Sequence, residues 1–240
     1  MVQHATGTPA EWLKARKDLL EREKQFSRLR DEIAEERRAL PWVKVDKTYV
    51  FETPAGKKTL AELFGKNSQL IIYHFMLAPG WDAGCSGCSF LADHLDSANQ
   101  HIKHHDVTLM AVSRAPLNEI EAYKKRMGWQ FDWASSNGGD FNYDFHVSFR
   151  KEDVEAGRAT YNFAPASENP GEEAPGFSAF YRDENGDVFH TYSSYARGNE
   201  EVIGAYMLLD FAPKGRNETE IMDWMRRHDE YEDAPARKSA

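Results

Sequence analysis

Cys85 and Cys88 are the only cysteines of this 240-residue chain, and two residues separate them in the stretch GWDAGCSGCSF. This spacing is compatible with a redox pair, with half of a metal site, or with two idle thiols. The pair follows an apolar run and precedes a helical pattern, so it falls at a predicted junction from strand to helix. Because the N–H groups and partial positive charge of a helix N-terminus stabilise a thiolate, we predict that Cys85 is the exposed nucleophile and Cys88 the resolving thiol.

A metal site would need ligands beyond the two cysteines, because structural zinc usually takes four. Four histidines lie close together in the next predicted helix: His94, His101, His104 and His105. Only His101 and His105 have the i, i+4 spacing that places two side chains on one helical face. We therefore expect a solvated helix face, with no bound metal and no cofactor, while a metal site and idle cysteines stay open as alternatives.

The elements around the pair predict an α/β fold with a mixed central sheet. Residues 70–77 and 107–113 are apolar runs typical of strands covered on both faces. A helical pattern follows each run, so a right-handed crossover should leave the two strands parallel. In FSAFYRDENGDVFHTYS, two β-prone runs flank Asn185-Gly186, the sequence signal of a tight antiparallel hairpin. The remaining predicted elements are helices at 89–105, 116–127, 199–211 and 218–229, short strands at 43–45 and 49–51, and a loop at 165–176.

Residues 9–38 have the pattern of a long amphipathic helix. An apolar residue recurs at every seventh position: Trp12, Leu19, Phe26, Ile33 and Leu40. Charged residues four positions after these argue against a conventional coiled coil. The narrow stripe is expected to pack on its own domain or on a partner subunit, which allows a homo-oligomer through this helix. We accordingly divide the chain into a helical extension (1–40), a main domain (41–212), and a C-terminal helix with a flexible tail (213–240).

Composition excludes several classes of partner. The net charge is −9, and an acidic chain is a poor ligand for nucleic acid or for anionic lipid, because both are bound mainly through Lys and Arg. The N-terminus lacks the pattern of a secretory signal, and no apolar run approaches the length of a membrane span. We therefore predict a cytoplasmic protein with no nucleic-acid or membrane partner. Thiols are kept reduced in that compartment, so two cysteines are not a disulfide scaffold.

Longer stretches resemble the thioredoxin superfamily and, within it, a bacterial family known as domain of unknown function 899. They are KVDKTYVF, LIIYHFM, CSGCSF, VSRAP, RMGWQFDWASS, DFNYDFHVSF and GFSAFYRDENGDVFHTYS. The resemblance extends from about Pro41 to Phe211, and the N-terminal helix is also typical of the family. It implies a thioredoxin-like fold of the peroxiredoxin and reductase branch, with three layers, a mixed central sheet and a long N-terminal helix.

The resemblance also implies roles for two residues near the dithiol. Thioredoxin-like proteins place a cis-proline at the start of the late hairpin, facing the cysteines. Pro175 stands there, either as that proline or as an ordinary loop proline. Thioredoxins also hold a buried proton acceptor for the second cysteine. His74, in the strand before the CxxC, is the candidate for this role, with a hydrogen-bonded core histidine as the alternative.

Other positions depart from the family pattern. Peroxiredoxins carry Thr or Ser three residues before the peroxidatic cysteine, but here Asp82 would repel peroxide anion and raise the pKa of a nearby thiol. Thioredoxins carry Trp directly before the first cysteine, where this chain has Gly84. We expect Trp81 and Asp82 to shape substrate access. Arg114 should lie near the carboxyl edge of the sheet, where it either offsets Asp82 or forms an ordinary salt bridge.

Together these features predict a thiol–disulfide oxidoreductase that acts on a protein or small-molecule disulfide or thiol. Two alternatives stay open. One is a non-enzymatic thioredoxin-fold protein that binds or assembles through the N-terminal helix, with idle cysteines. The other is a thiol peroxidase, against which Asp82 argues.

Overall fold

The computed structural model describes residues 5–232, and it divides once, into a unit that ends at Pro41 and a unit that begins at Trp42. The first unit is the long helix α1 (Pro9–Ala39). The Thr8 hydroxyl accepts the Glu11 N–H at 3.3 Å, and the Glu11 carboxylate accepts the Thr8 N–H at 2.7 Å, so a capping box begins this helix. No residue of α1 is buried. Within the described residues, no helix is long and apolar enough to span a bilayer.

The second unit is built on an eight-stranded mixed sheet with the order β1-β10-β9-β4-β5-β6-β2-β3. The strands are β1 (Val43–Lys44), β2 (Val50–Thr53), β3 (Gly56–Thr59), β4 (Gln69–His74), β5 (Val107–Ser113), β6 (Asp132–Ser135), a separate pair β7 (Thr160–Tyr161) and β8 (Ala164–Pro165), β9 (Gly176–Arg182) and β10 (Val188–Tyr195). The helices are α2 (Leu60–Leu63), α3 (Ser86–Ala92), α4 (Leu95–Ile102), α5 (Leu117–Met127), α6 (Phe141–Asp144), α7 (Lys151–Glu155) and α8 (Gly204–Leu209).

The three central strands determine where the helices lie. β4, β5 and β6 are parallel and adjacent in chain order, so two right-handed crossovers in the same direction place α3, α4 and α5 on one face. Side chains of α3, α5 and α8 form one core with Tyr73 of β4, which we call the dithiol face. Side chains of α2 and α6 form the second core on the opposite face. This three-layer arrangement, with an antiparallel hairpin beside β4, is the thioredoxin-like fold that the sequence predicts.

Several elements around the site agree with prediction, but the helix predicted over 199–211 is a 3₁₀ segment (Ala196–Val202) followed by the short α8 (Gly204–Leu209). β5 spans the predicted residues 107–113, and the β9–β10 hairpin turns at Asp183–Gly186, where Gly186 has φ +87°. The predicted helix over 89–105 begins earlier, at Ser86, and is interrupted at Asp93–His94. His94 accounts for part of this break, because its Nδ1 donates to the Phe90 carbonyl at 2.8 Å while its Nε2 accepts the Ala205 N–H at 3.0 Å. Those two bonds require the neutral Nδ1–H tautomer and leave His94 no free ring nitrogen for a metal.

The helix predicted for 218–229 is wrong, because these residues form turns and irregular backbone. The Asp223 carboxylate accepts the N–H groups of Thr219 and Glu220 at 2.9 and 3.1 Å, which gives these groups a partner outside a helix. Met222, at φ +67°, and Met225 pack against the core of the dithiol face instead of lining one side of a helix. The tail predicted to be frayed comprises residues 229–240, and its part beyond residue 232 lies outside the described residues.

Candidate dithiol site

Cys85 and Cys88 lie where the loop after β4 enters α3. Cys85 is the N-cap residue of α3, and Cys88 belongs to its first turn. The Cys85 N–H donates to the Met76 carbonyl at 3.1 Å, which ties the end of the loop to its beginning. Both cysteines are free thiols: Cys85 is half-buried, whereas Cys88 has a relative exposure of 3%. The placement at the strand-to-helix junction agrees with the prediction.

The pKa of Cys85 is lowered to about 6. The largest cause is the hydrogen bond from the Cys88 thiol, and the backbone N–H groups of Cys88 and Gly87 and the charge of Arg227 act in the same direction, while burial opposes them. The two N–H groups are the unpaired donors that begin a helix. A thiol with this pKa is largely a thiolate at neutral pH, and the thiolate is the reactive form.

Cys88 has the opposite character. Burial is the main cause that raises the pKa of Cys88 well above its ordinary value, and the adjacent Cys85 adds to the effect. The Tyr73 hydroxyl opposes it through a hydrogen bond to the Cys88 sulfur. The pair therefore holds one proton on the buried sulfur and a negative charge on the outer one, and Tyr73 is the polar group of β4 that contacts the buried sulfur.

Gly84, directly before the nucleophile, is held between two aromatic rings and a guanidinium. A Cβ at this position would lie 2.4 Å from the ring of Phe75 and 2.7 Å from that of Tyr123, so no larger residue fits. On the other side, Arg227 donates to the Gly84 carbonyl from Nε at 3.0 Å and from a terminal nitrogen at 2.7 Å. The absence of the thioredoxin Trp here therefore has a packing reason.

A pocket of about 250 Å³ opens beside the two cysteines. Most of its lining is apolar, with a polar side formed by a 3₁₀ segment from Ala196 to Val202. Pro175 lines this pocket. Its peptide bond is trans, since the described residues contain no cis bond, so Pro175 is not the cis-proline that the resemblance implies. Tyr73, Leu91, Ile203, Ile221 and Met222 belong to its apolar lining.

His74 lies on the face of the sheet opposite the dithiol. It packs beside Phe141 and Phe145, and its Nε2 is 2.8 Å from the Ser178 hydroxyl. Successive residues of a strand point to opposite faces, so Tyr73, not His74, reaches Cys88. The structure therefore corrects the predicted proton acceptor: His74 is a hydrogen-bonded core histidine.

The other supporting residues lie outside the pocket lining. Trp81 is half-buried and donates from its indole nitrogen to the Glu172 carboxylate at 3.3 Å. Asp82 is exposed, and the groups that act most on the pKa of Cys85 are Cys88, Gly87 and Arg227. Arg114 does not offset Asp82, because it binds the buried carboxylate of Glu173 at 2.5 Å.

Sequence reasoning missed Tyr73 and Arg227. Tyr73 lies in an apolar run in which the sequence does not reveal which alternate residues face the helix layer. Arg227 is 143 positions from Gly84, and it lies in a segment that the sequence predicts to be a helix but that forms turns. No group of three or more metal-ligating side chains with suitable geometry occurs among residues 5–232.

The family description "Bacterial protein of unknown function (DUF899)" matches residues 1–231. The chain therefore belongs to this family. A comparison with curated proteins gives no match.

Solved structures with a similar fold are distant in sequence. Peroxidoxin BcpB from Mycobacterium tuberculosis has 10% identity and a TM-score of 0.45, covering 69% of this chain and 94% of its own. Peroxiredoxin Q from Xanthomonas campestris has 12% identity and a TM-score of 0.40, covering 65% and 87%. A Chlorobium tepidum protein assigned as the thiol:disulfide interchange protein DsbE has 13% identity and a TM-score of 0.40, covering 70% and 96%. At these values we argue function from the site alone.

Proposed function

We propose that this protein is a thiol–disulfide oxidoreductase, with Cys85 as nucleophile and Cys88 as resolving thiol. The observation that supports this most is the opposite shift of the two sulfurs: the outer Cys85 has a pKa of about 6, while burial raises the pKa of Cys88. An attacking thiol needs a thiolate near neutral pH, and a resolving thiol must not compete with it for substrate. Two idle cysteines would not need this asymmetry.

The reaction proceeds in two exchanges. The Cys85 thiolate attacks one sulfur of a substrate disulfide, a Cys85–substrate disulfide forms, and the other half of the substrate leaves as a thiolate. Cys88 then loses its proton to a departing thiolate and attacks the Cys85 sulfur. The substrate's second half leaves as a thiolate and takes a proton from solvent, so the substrate has gained two electrons and the protein holds a Cys85–Cys88 disulfide. An external dithiol reductant must return it to the reduced state.

Single-turnover exchange with glutathione disulfide tests this proposal. Reduced protein should form the Cys85–Cys88 disulfide and release both glutathiones as thiols, as measured by mass spectrometry. Cys88→Ser should stop at the mixed disulfide on Cys85, because no resolving thiol remains, and Cys85→Ser should form neither product. A wild-type protein that forms no disulfide under these conditions would contradict the proposal. The equilibrium ratio also gives the redox potential and the direction of electron flow.

Hydrogen peroxide distinguishes the peroxidase alternative. Asp82 stands where peroxiredoxins have a hydroxyl group, so we expect only slow formation of a Cys85 sulfenate. A sulfenate that forms faster than the exchange with glutathione disulfide would favour the peroxidase instead.

A second candidate function, assembly, is favoured by the surface of α1. We propose that this helix joins two copies of the chain. Its large apolar residues are exposed, with Trp12 at 65% and Phe26 at 68%, and a seven-residue repeat keeps a stripe facing an equal helical partner. The stripe is narrow, and charged Arg22 and Glu36 interrupt its edge, so we expect a dimer of modest affinity.

The charges beside the stripe, which argue against a tight conventional coiled coil, favour a parallel orientation in a weaker pair of helices. At the first four stripe positions, the preceding residues are mostly acidic (Glu11, Asp18, Gln25, Glu32), and the residues four positions after are mostly basic (Arg16, Glu23, Arg30, Arg37). Two parallel copies bring the acidic flank of one beside the basic flank of the other, whereas antiparallel copies bring like flanks together.

Sedimentation of the full chain tests this pairing. Phe26→Glu should shift the protein toward monomer, whereas Lys17→Glu, an exposed change away from the stripe, should not. Glu32→Arg and Arg37→Glu should each weaken the dimer, and the double variant should restore it. A wild-type monomer at high concentration, or a double variant no better than the singles, would contradict a parallel dimer.

A further inference from the structure

The C-terminal segment 216–230 crosses the dithiol face without forming a helix or strand. Its first residue, Arg216, binds Glu200 at 3.0 Å, and its last turn is held by Asp229, which accepts from Arg126 at 3.0 Å. Between these anchors, Ile221 and Met222 line the pocket beside the cysteines. Side-chain contacts, and not a backbone ladder, therefore hold this segment against the site.

One residue of this segment contacts the loop that carries the nucleophile. The two Arg227 donors converge on the Gly84 carbonyl, at 2.7 and 3.0 Å, and the rings of Phe75 and Tyr123 close the other side of Gly84. The peptide unit preceding Cys85 is thus held from two directions. Two parallel N–H donors on one oxygen restrict its position more than a single bond does.

We propose that Arg227 is a positioning residue for Cys85: it fixes the Gly84 carbonyl and keeps a positive charge beside the nucleophile. This inference rests on the proposed role of Cys85. The guanidinium is partly shielded, with 21% side-chain exposure, and Glu230 binds it at 2.8 Å. Its charge is therefore shared between Glu230 and the dithiol, and detachment of the segment would remove both the positive charge and the clamp.

Other charged and titratable groups near Cys85 must be separated from this effect. Cys88 and Tyr73 lie beneath it, and Arg197 and Glu200 lie on the polar side of the pocket. Glu200 binds both Arg197 at 2.8 Å and Arg216 at 3.0 Å, and Asp210 binds Arg216 at 2.9 Å. Two carboxylates therefore balance these two arginines. Arg227 is accordingly the cation whose loss should change the nucleophile most.

The test measures alkylation of Cys85 by iodoacetamide as a function of pH, with Arg227→Met compared to Arg226→Met. Arg226 is the adjacent, exposed arginine, and it does not contact Gly84. We expect Arg227→Met to shift the rate profile to higher pH, with a several-fold lower rate near pH 6 and a rate near wild type at alkaline pH. Arg226→Met should retain the wild-type profile, and Arg227→Lys should recover part of the shift because it restores the charge.

An unchanged profile for Arg227→Met would overturn the proposal. If Arg227→Met fails to fold, Glu230→Gln serves instead, because it removes the counter-charge of Arg227 and should shift the profile to lower pH; no shift would overturn the proposal equally. Alkylation requires only a reactive Cys85 and no turnover. A protein that passes this test but fails exchange with glutathione disulfide would refute the proposed function alone.

Discussion

Tyr73 and His74 are neighbours on β4, yet they belong to opposite environments. The Tyr73 hydroxyl meets a thiol beside an open pocket. His74 begins a linear series of hydrogen bonds. The series runs from its Nε2 to Ser178, from Ser178 to Ser193 and from Ser193 to His190, and each bond is 2.8 Å long. One strand therefore places Tyr73 at a reactive site on one face of the sheet and His74 in a hydrogen-bonded network on the other face.

The difference shows that burial acts differently on the two faces. At the dithiol, hydrogen-bond donors outweigh burial and keep a negative charge on Cys85. At His74, burial lowers the pKa to about 3, so the imidazole is neutral, and its Nδ1 has no hydrogen-bond partner. A face used for chemistry needs both donors and access, whereas His74 is 1% exposed and no anion among the described residues offsets the effect of burial on its pKa.

The largest expected effect separates the two faces by activity. Cys85→Ser should abolish disulfide exchange, because no other sulfur near the pocket is a thiolate. His74→Leu should retain most of the exchange rate, since His74 contacts neither cysteine. Single-turnover kinetics with glutathione disulfide measures both. A comparable loss in His74→Leu, in a protein that is still folded, would break the distinction between the faces.

The next effect concerns packing on the dithiol face. Gly84→Ala should destabilise the fold by about 1–3 kcal/mol, the usual cost of overpacking, because its Cβ overlaps two rings. Gly87→Ala is the matched control: its Cβ would meet the flexible Met222 side chain at 3.3 Å. Urea denaturation gives the free energy of unfolding for each. If Gly84→Ala lowers the free energy of unfolding no more than Gly87→Ala does, the rings beside Gly84 move aside without a large cost and the prediction is wrong.

Acid stability tests the opposite face. The unfolded chain binds a proton on His74 below about pH 6.5, its ordinary pKa, but the folded chain does so only near about 3. The stabilising contribution is thus fully present above about pH 6.5 and is lost as pH falls toward 3. His74→Leu should make the free energy of unfolding fall less steeply across this range. An identical slope in both proteins would show that His74 does not titrate as inferred.

The smallest expected effect belongs to Tyr73. Tyr73→Phe removes the hydroxyl that favours the Cys88 thiolate, so resolution of the mixed disulfide should slow several-fold while the first attack by Cys85 stays near wild type. Rapid-quench analysis of the mixed disulfide separates these two rates. Slower attack by Cys85 with unchanged resolution by Cys88 would contradict this prediction, because the hydroxyl would then act on Cys85.

Local signals predicted the dithiol's position well. The apolar run of β5, the Asn185-Gly186 turn and the CxxC at a helix start each depend on residues close in sequence. What could not be predicted depends on long-range packing. Both faces of β4 are covered, so its residues do not alternate between polar and apolar. The sequence therefore does not show which face Tyr73 or His74 occupies. The apolar residues at 221–225 suit a helix equally well, until contacts with the core and with Asp223 favour turns.

The ends of the central sheet have a consequence for the behaviour of this protein at high concentration. The outermost strands are β1, which is only two residues long, and β3, which carries Lys57 and Lys58. Short strands and lysines hinder the addition of a foreign strand to an open edge. Such edges resist the repeated addition of strands by which sheets grow into fibres. Self-association of this protein should therefore stop at a defined stoichiometry.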